Sequence, residues 1–466
     1  MTRTNSKALE KLEKLGYSYN KKAQNIIKMC DDWYSNERTE FHSRVNINGA
    51  SKIIDSINFA KRCCADDANL CEVVEINTGE KSFEPINDIL KTNRFNVMYR
   101  KQLEKLSADG TVGCYIRIVD ANETDGNLEG GNIRLNYCEA QSIIPLTVEN
   151  DEIIECAFIG ENIVRGKDEV TLVIFSLDES KKYVADTYVF SDDKETFNSS
   201  IQLGEIKPFA VMRSAEVNNI EDMEGYGYPK LYSSIPILKA LDLAYYILFG
   251  DLDKGEKLVF INELLACVGT DANGNKFLTK QQKDLFVLLG EKLPTQDTVV
   301  QEYNPELRIE QTTKIFETLL SLLSMSFGYG TKKYTFENGQ IKTATEYIGS
   351  RQDCLQELNK QRQEAIAYIT GICRAVAWFS NTFSHTTFDV NAEVGVDFDD
   401  SLITDKETEI ERLRNDSITF DIPKLKIWYF MEAYNLDEEE ATKMVMGDQE
   451  EKEKKDLEDA NQDEDE

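Results

Sequence analysis

The longest helical period in the chain runs from Thr343 to about Phe379, where Leu355, Leu358, Ala365, Ile369, Ile372, Val376 and Phe379 recur at steps of three and four. A stripe sustained that far predicts one long helix packed along a single face. At its head stands Thr343-Ala344-Thr345-Glu346. Thr343 or Thr345 can accept hydrogen bonds from the free first-turn amides. Glu346 sets negative charge at the positive end of the helix, together worth about 1 kcal/mol.

Two further helical periods precede it. After Gly227-Tyr228-Pro229 come Leu231, Ile235, Leu238, Leu241, Tyr245 and Leu248 on one stripe, ending near Gly250, and Pro229 suits a first helical turn. The second runs from about Gln311 to Phe327 with Ile315, Leu319, Leu322 and Leu323 as its stripe, and stops at Gly328-Tyr329-Gly330. Between them lies a compact mixed segment. There Lys257 to Val268 and the Asn273-Gly274 turn predict a hairpin, and Lys280 to Leu288 a short helix. A helix, a small insert and a returning helix predict an antiparallel pair carrying a module at its tip.

Upstream, from Cys71 to about Phe209, the pattern is short alternating runs: Thr111 to Val119, Asn132 to Tyr137, Ile153 to Ile159, Val170 to Phe175 and Lys182 to Phe190. This predicts an antiparallel β-rich body with one helical insert near Asn87 to Leu106. The first residues (Lys7, Lys11, Lys14, Lys21, Lys22 and Lys28 among Leu9, Leu12, Leu15 and Ile26) read as a basic surface helix or two. A short extended piece, Thr387 to Phe398, and a helical end, Glu407 to Met446, follow the long helix. Asp448 to Glu466 is almost wholly charged and is expected to be a disordered acidic tail.

Asp and Glu number 84 against 53 Lys and Arg, a formal net charge of -31, which opposes unspecific gripping of nucleic acid. The ten cysteines show no Cys-x-x-Cys pair, and the chain starts without an apolar signal segment, so reduced thiols in a cytoplasm are expected. The longest apolar run, Leu241 to Phe249, is far shorter than the roughly 20 residues of a spanning helix. No membrane association is expected.

Catalytic motifs are wanting. Gly269 to Lys276 lacks the order of a phosphate loop, and Lys276 replaces the glycine a calcium loop requires. His42 and His385 are too few for a histidine-built metal site and receive no catalytic role. Asp397, Asp399, Asp400 and Asp405 form the one acidic cluster able to hold magnesium. They leave open the alternative of a metal-dependent nuclease or other packaging enzyme built on Asp399, Asp400 and Asp405. Before a helix, such acids more often serve as caps and solvated charge. No cofactor is expected.

Four stretches in order resemble the portal proteins of long-tailed double-stranded DNA bacteriophages: Val45-Asn46-Ile47-Asn48; Tyr226-Gly227-Tyr228-Pro229 leading to Leu241-Asp242; Asn304-Pro305-Glu306-Leu307-Arg308; and Thr343-Ala344-Thr345-Glu346. Asp399-Asp400-Ser401-Leu402-Ile403-Thr404-Asp405-Lys406 is similar to the segment before that family's crown. Two positions depart from the pattern: Tyr347 stands where a small β-branched residue is usual, and Tyr228-Pro229 enters the first helix less typically.

The resemblance implies an α+β portal fold. Its parts would be an N-terminal and β-rich wing (1–227), a stem of two helices (228–256 and 309–327), a small mixed α/β clip (257–308) and a tunnel loop (328–342). A long kinked helix with wing closure (343–400), a helical crown (401–447) and the acidic tail (448–466) would complete it. It implies a non-enzymatic subunit of a dodecameric ring at one capsid vertex of the virion, assembled in the host cytoplasm. Double-stranded DNA would pass through the ring during packaging and ejection. The large terminase subunit, scaffolding and major capsid proteins, and a head-tail adaptor would be its partners.

Within that frame Lys332, Lys333 and Lys342, with Tyr329 and Tyr334, would touch DNA from the loop. Asn273, Gly274 and Lys276 would belong to the clip interface, and Thr343, Thr345 and Glu346 would cap the tunnel helix. An acidic lining would keep a polyanion from adhering, because each phosphate neutralised adds salt-dependent affinity that slows sliding.

Overall fold

The N-terminal residues alternate basic and apolar side chains at helical spacing, and in the computed structural model they form α1 (Arg3–Lys14) and α2 (Lys21–Tyr34). The structure describes residues 3–45, 51–71, 73–77, 84–124, 127–164, 166–191, 194–255, 258–262, 269–270, 276–277, 286–289, 300–304, 308–330, 333–334, 344–398, 406–420, 422–434, 436–438 and 440–445. The Asn20 side chain accepts from the Ala23 amide at 2.9 Å and starts α2. Two short strands, β1 (Ser43–Val45) and β2 (Ser51–Ile53), then lead to α3 (Phe59–Ala68) and β3 (Val73–Asn77).

The single predicted helical insert is two helices, α4 (Glu84–Thr92) and α5 (Phe95–Asp109). The chain breaks between them at Arg94, whose φ of 55° lies in the left-handed region. No glycine marks that break, so the helical period runs across it unbroken.

The β-rich body follows as β4 (Thr111–Val119), β5 (Asn122–Thr124), β6 (Asn127–Glu129), β7 (Asn132–Glu139), β8 (Ile143–Glu149), β9 (Glu152–Val164), β10 (Lys167–Leu177), β11 (Tyr183–Ser191), β12 (Lys194–Gln202) and β13 (Phe209–Arg213). Strands β8 to β12 form a five-stranded antiparallel meander, and β13, β4 and β7 a three-stranded antiparallel sheet. One face of the meander buries Ile159, Leu172, Ile174 and Tyr188 beneath Ala8, Leu9 and Leu12 of α1. The other face meets the smaller sheet through Phe158, Phe175, Tyr115 and Phe209, with ring centroids 5.1 to 6.0 Å apart. In the smaller sheet β4 packs on α5 as well as on the meander, so its first six residues are all buried instead of alternating.

The helix pair is α6 (Lys230–Lys254) and α7 (Ile309–Ser326). Ser234 near the start of α6 meets Ser326 at the end of α7 at 2.8 Å, whereas Asp251 near the end of α6 binds Arg308 just before α7, so the helices run antiparallel. Leu231, Ile235, Leu238 and Leu241 pack on Phe316, Leu320, Leu323 and Phe327. The predicted stripe of α7 is therefore corrected: Ile315 and Leu322 are exposed, because this helix is apolar on two faces and its period alone does not choose between them. Pro229 occupies the cap position and lies one residue before the first turn.

The segment between the pair contains β14 (Leu258–Asn262), β15 (Gly269–Thr270), β16 (Lys276–Phe277), β17 (Phe286–Leu289) and β18 (Val300–Tyr303). The predicted hairpin is corrected: its Lys257 to Val268 arm contains β14, which pairs parallel to β17 and antiparallel to β18, and the two-residue pairing of β15 with β16 lies beyond that arm. The predicted short helix is corrected over Phe286, Val287 and Leu288, which form a strand. A short apolar run does not distinguish the two, and here the pairing with Val259 to Asn262 decides.

The long helix is α8 (Ala344–Phe383), and its predicted stripe is buried at Leu358, Ala365, Ile369, Ile372, Val376 and Phe379. The extended piece after it ends in β19 (Gly395–Phe398). From Phe398 a second compact unit begins, containing α9 (Lys406–Phe420) and α10 (Pro423–Tyr434), where the Tyr429, Phe430 and Tyr434 rings cluster with centroids 5.5 to 6.3 Å apart. The predicted acidic tail lies outside the described residues.

Candidate functional site at the closed end of the helix pair

The Tyr226-Gly227-Tyr228-Pro229 box enters α6 through a close backbone approach. The Ser214 amide donates to the Gly110 carbonyl at 2.9 Å, and the Gly227 amide to the Thr111 hydroxyl at 2.9 Å. A Cβ on Gly227 would stand 2.1 Å from the Gly110 oxygen, so only glycine fits. Tyr226 is buried, donating to the Ile143 carbonyl at 2.8 Å and accepting from Gln24 at 3.1 Å. This box fixes where α6 leaves the β-rich body.

Asp242 is buried on α6 and organises the segment before α3. One of its oxygens accepts from the Ile57 amide at 3.1 Å, and the other lies 3.1 Å from His42 Nε2. His42, itself buried, thereby has a structural partner. At the other end of α6, Arg308 grips Asp251 with two bonds of 3.0 and 2.7 Å, a fork geometry that holds the carboxyl of Asp251 below its usual range. This clamp lies at the base of the β14–β18 segment.

A polar cluster forms where α7 ends. Gly328, with φ of 76°, lets the chain turn back: its amide donates to the Met325 carbonyl at 3.0 Å and that of Tyr329 to Ser324 at 3.0 Å, the paired bonds of a Schellman stop. Tyr329 is buried, and its hydroxyl donates to Asp67 at 3.0 Å. The Tyr334 hydroxyl donates to Asp66 at 3.1 Å, and its amide to the buried Ser324 hydroxyl at 2.9 Å.

Asp67 also lies 3.2 Å from Lys230 Nζ, which lies 3.4 Å from Glu357 of α8. Lys230 is 3% exposed. Burial opposes its charge, yet Asp67, Glu357 and Glu216 together outweigh that and raise its pKa above the ordinary lysine value. Glu216 is shifted upward, chiefly by burial, as the acid the single lysine least satisfies. Cys63, beside Tyr334, is pushed by burial up to about 12 and is inert as a thiol.

Of the residues predicted for the loop, Tyr329, Lys333 and Tyr334 come together here, with Lys333 Nζ 5.5 Å from the Tyr329 ring centre. Tyr329 faces into the protein. Lys332 and Lys342 lie outside the described residues, as do Thr343, Asn273 and Gly274. Thr345 and Glu346 fall in the first turn of α8, and Lys276 pairs with Thr270. Asp397 falls in β19, while Asp399, Asp400 and Asp405 are outside the described residues.

Asp66, Asp67, Lys230 and Glu357 were not foreseen. One signal for them was available: two aspartates in the last turn of α3 oppose the helix dipole and require cationic or donor partners from elsewhere. Among the described residues, one other acidic group, Asp31, Asp109 and Glu139, has the spacing of a metal site. Its centre is occupied by Lys105, whose Nζ lies 2.5, 3.9 and 3.2 Å from the three acids.

These features are scaffold geometry: glycine-only approaches, buried ion clusters and helix stops. The family model described as phage portal protein, SPP1 Gp6-like, matches residues 2–454. The chain belongs to this family of structural proteins. Two solved structures are similar to it. The neck of a native GTA particle computed with C12 symmetry is 9% identical, with 76% of this chain and 83% of that chain covered, at a TM-score of 0.37. The neck of an empty GTA particle computed with C6 symmetry is 11% identical, covering 76% and 84%, at 0.38. At such TM-scores the likeness is too loose to support an argument. No curated protein matches the chain. No helix among the described residues is long and apolar enough to cross a membrane.

Proposed function

We propose that this portal-family chain is the subunit of a dodecameric ring at one capsid vertex, through which double-stranded DNA is packaged and later ejected. The observation that carries the reading is the helix pair. Its inner faces meet each other, while its outer faces expose Phe249, Leu252, Ile315, Leu322 and Met325 in a chain of net charge -31. Apolar side chains so placed on one long paired element fit neighbouring copies of the same pair.

In this reading α6 and α7 are the stem, residues 1–227 the wing with α8 closing it, β14 to β18 the clip, 328–342 the tunnel loop and 401–447 the crown. The clip is the docking surface for the large terminase subunit during packaging and for head-tail adaptors afterwards. Scaffolding and major capsid proteins surround the ring, which forms in the host cytoplasm before entering the virion. The loop lysines Lys332, Lys333 and Lys342 touch phosphates from the channel wall, and the remaining acidic surface keeps DNA from adhering.

Replacing those three lysines by Ser in assembled particles tests the loop assignment. DNA retention and packaged length should both change while the ring still forms. Unchanged values would sink it.

A further inference from the structure

We propose that Asp66 and Asp67, at the end of α3, are the receptor for the root of the loop, forming a clasp closed by Tyr329 and Tyr334 and locked by Lys230. Its consequence for DNA rests on reading 328–342 as the tunnel loop. The clasp itself does not.

A buried tyrosine hydroxyl needs only one acceptor, which a nearby carbonyl could supply. Here two tyrosines five positions apart in sequence reach two adjacent carboxylates on a helix more than 260 residues upstream, at 3.0 and 3.1 Å. The Asp66 and Asp67 side chains are 8% and 13% exposed, so these charge-assisted bonds form largely away from water. Each carboxylate has its own cation: Arg62 lies 3.0 Å from Asp66, and Lys230 3.2 Å from Asp67. The lysine then reaches Glu357 on α8.

Four elements thus converge on one point: the last turn of α3, the first turn of α6, the stretch after α7, and α8. The turn into Tyr329 is fixed as well. Gly328 passes close to Glu357, where an added Cβ would be 3.4 Å from its Cγ, and the Tyr329 and Tyr334 rings meet edge to face at 6.3 Å. Lys333 is consequently held over the Tyr329 ring at the edge of the clasp.

The role assigned to the five residues is positional. The clasp sets Lys333 at a defined place relative to the helix pair, and it transmits a pull on the loop root to α3 through Asp66 and Asp67 and to α8 through Lys230 and Glu357. A polyanion engaging the loop would therefore load the long helix directly.

The test uses the full chain and no DNA. The Tyr329→Phe, Tyr334→Phe double variant keeps both rings and removes only the hydroxyls, so its circular dichroism and oligomer size should match the wild type. Trypsin should then cleave after Lys332 and Lys333 about tenfold faster, with faster hydrogen exchange across 329–334. Lys230→Met should produce the same local signature from a residue outside the loop. Unchanged cleavage and exchange in a folded double variant would overturn the clasp and leave the DNA reading standing. If the three-lysine variant retains DNA normally while the clasp variant opens the root, the DNA reading fails and the clasp stands.

Discussion

The β-rich body and the helix pair handle apolar surface in opposite ways. In the body, both faces of the five-stranded meander are covered within the chain, by α1 on one side and the smaller sheet on the other. In the pair, only the inner stripe is covered, and Phe249, at 57% exposed, and Leu252, at 53%, still face outward. The contrast separates what one chain needs in order to fold from what it keeps for its neighbours. Changes at the body and its junctions should therefore act on the folding of a single chain. Changes on the outer helix faces should act on assembly.

The largest effect on folding is expected where the two regions join. Gly227→Ala would drive a Cβ into the Gly110 carbonyl, and should cost about 4 kcal/mol or more, read as loss of folded protein on thermal denaturation. A mild change would mean that the junction is loose and the regions are less coupled than described.

Next comes Lys230→Met, which strands Asp67 and Glu357 and should cost about 3–5 kcal/mol in denaturant titrations at neutral pH. Its pH dependence has a definite sign. The pKa of Lys230 is raised in the folded chain, so its stabilisation is complete below the unfolded lysine value of about 10.4 and is lost as pH rises through the folded value. Wild type should lose stability in that alkaline window, and the variant should lose less.

A smaller effect, about 1–2 kcal/mol, is expected for Asp242→Asn, which keeps an oxygen for the Ile57 amide but gives up the charged partner of His42. Thermal melts of the two chains would measure it. Smallest for the single chain is Phe249→Ser with Leu252→Ser: within about 0.5 kcal/mol for the monomer, because both side chains already face outward. Light scattering should nevertheless show the oligomer dissociating. A stable oligomer in that variant would erase the contrast between the two regions.

The sequence was most readable where one face of an element decides its fate. The stripe of α8 and that of α6 from Leu231 to Leu241 were legible because those side chains are buried on one face, whereas Tyr245, which the period also placed on the α6 stripe, is exposed. Strand β12, Lys-Glu-Thr-Phe-Asn-Ser-Ser-Ile-Gln, went unrecognised because it is an exposed sheet edge with no apolar alternation to detect. Strand β13 is only five residues long and takes its place from pairing with β4. The same limit hid the outer faces of α7: two apolar stripes on one helix look alike in sequence, and only the partner distinguishes them.

The candidate site was legible in part. The boxes at Tyr226 to Pro229 and Asn304 to Arg308 could be picked out, but their physical reasons could not, since Gly110 and Asp251 are distant in sequence from the residues they constrain. The loop tyrosines were marked, and their carboxylate receptors were not. A hydrogen bond spanning more than 260 positions leaves no local pattern.

Imaging of the purified full-length oligomer at a resolution that shows helices tests the central claim most directly. The account predicts a closed ring of twelve copies, with α6 and α7 of each lining one continuous channel and Phe249, Leu252, Ile315, Leu322 and Met325 between neighbours. A monomer, or an assembly that leaves those five side chains in solvent, would contradict it.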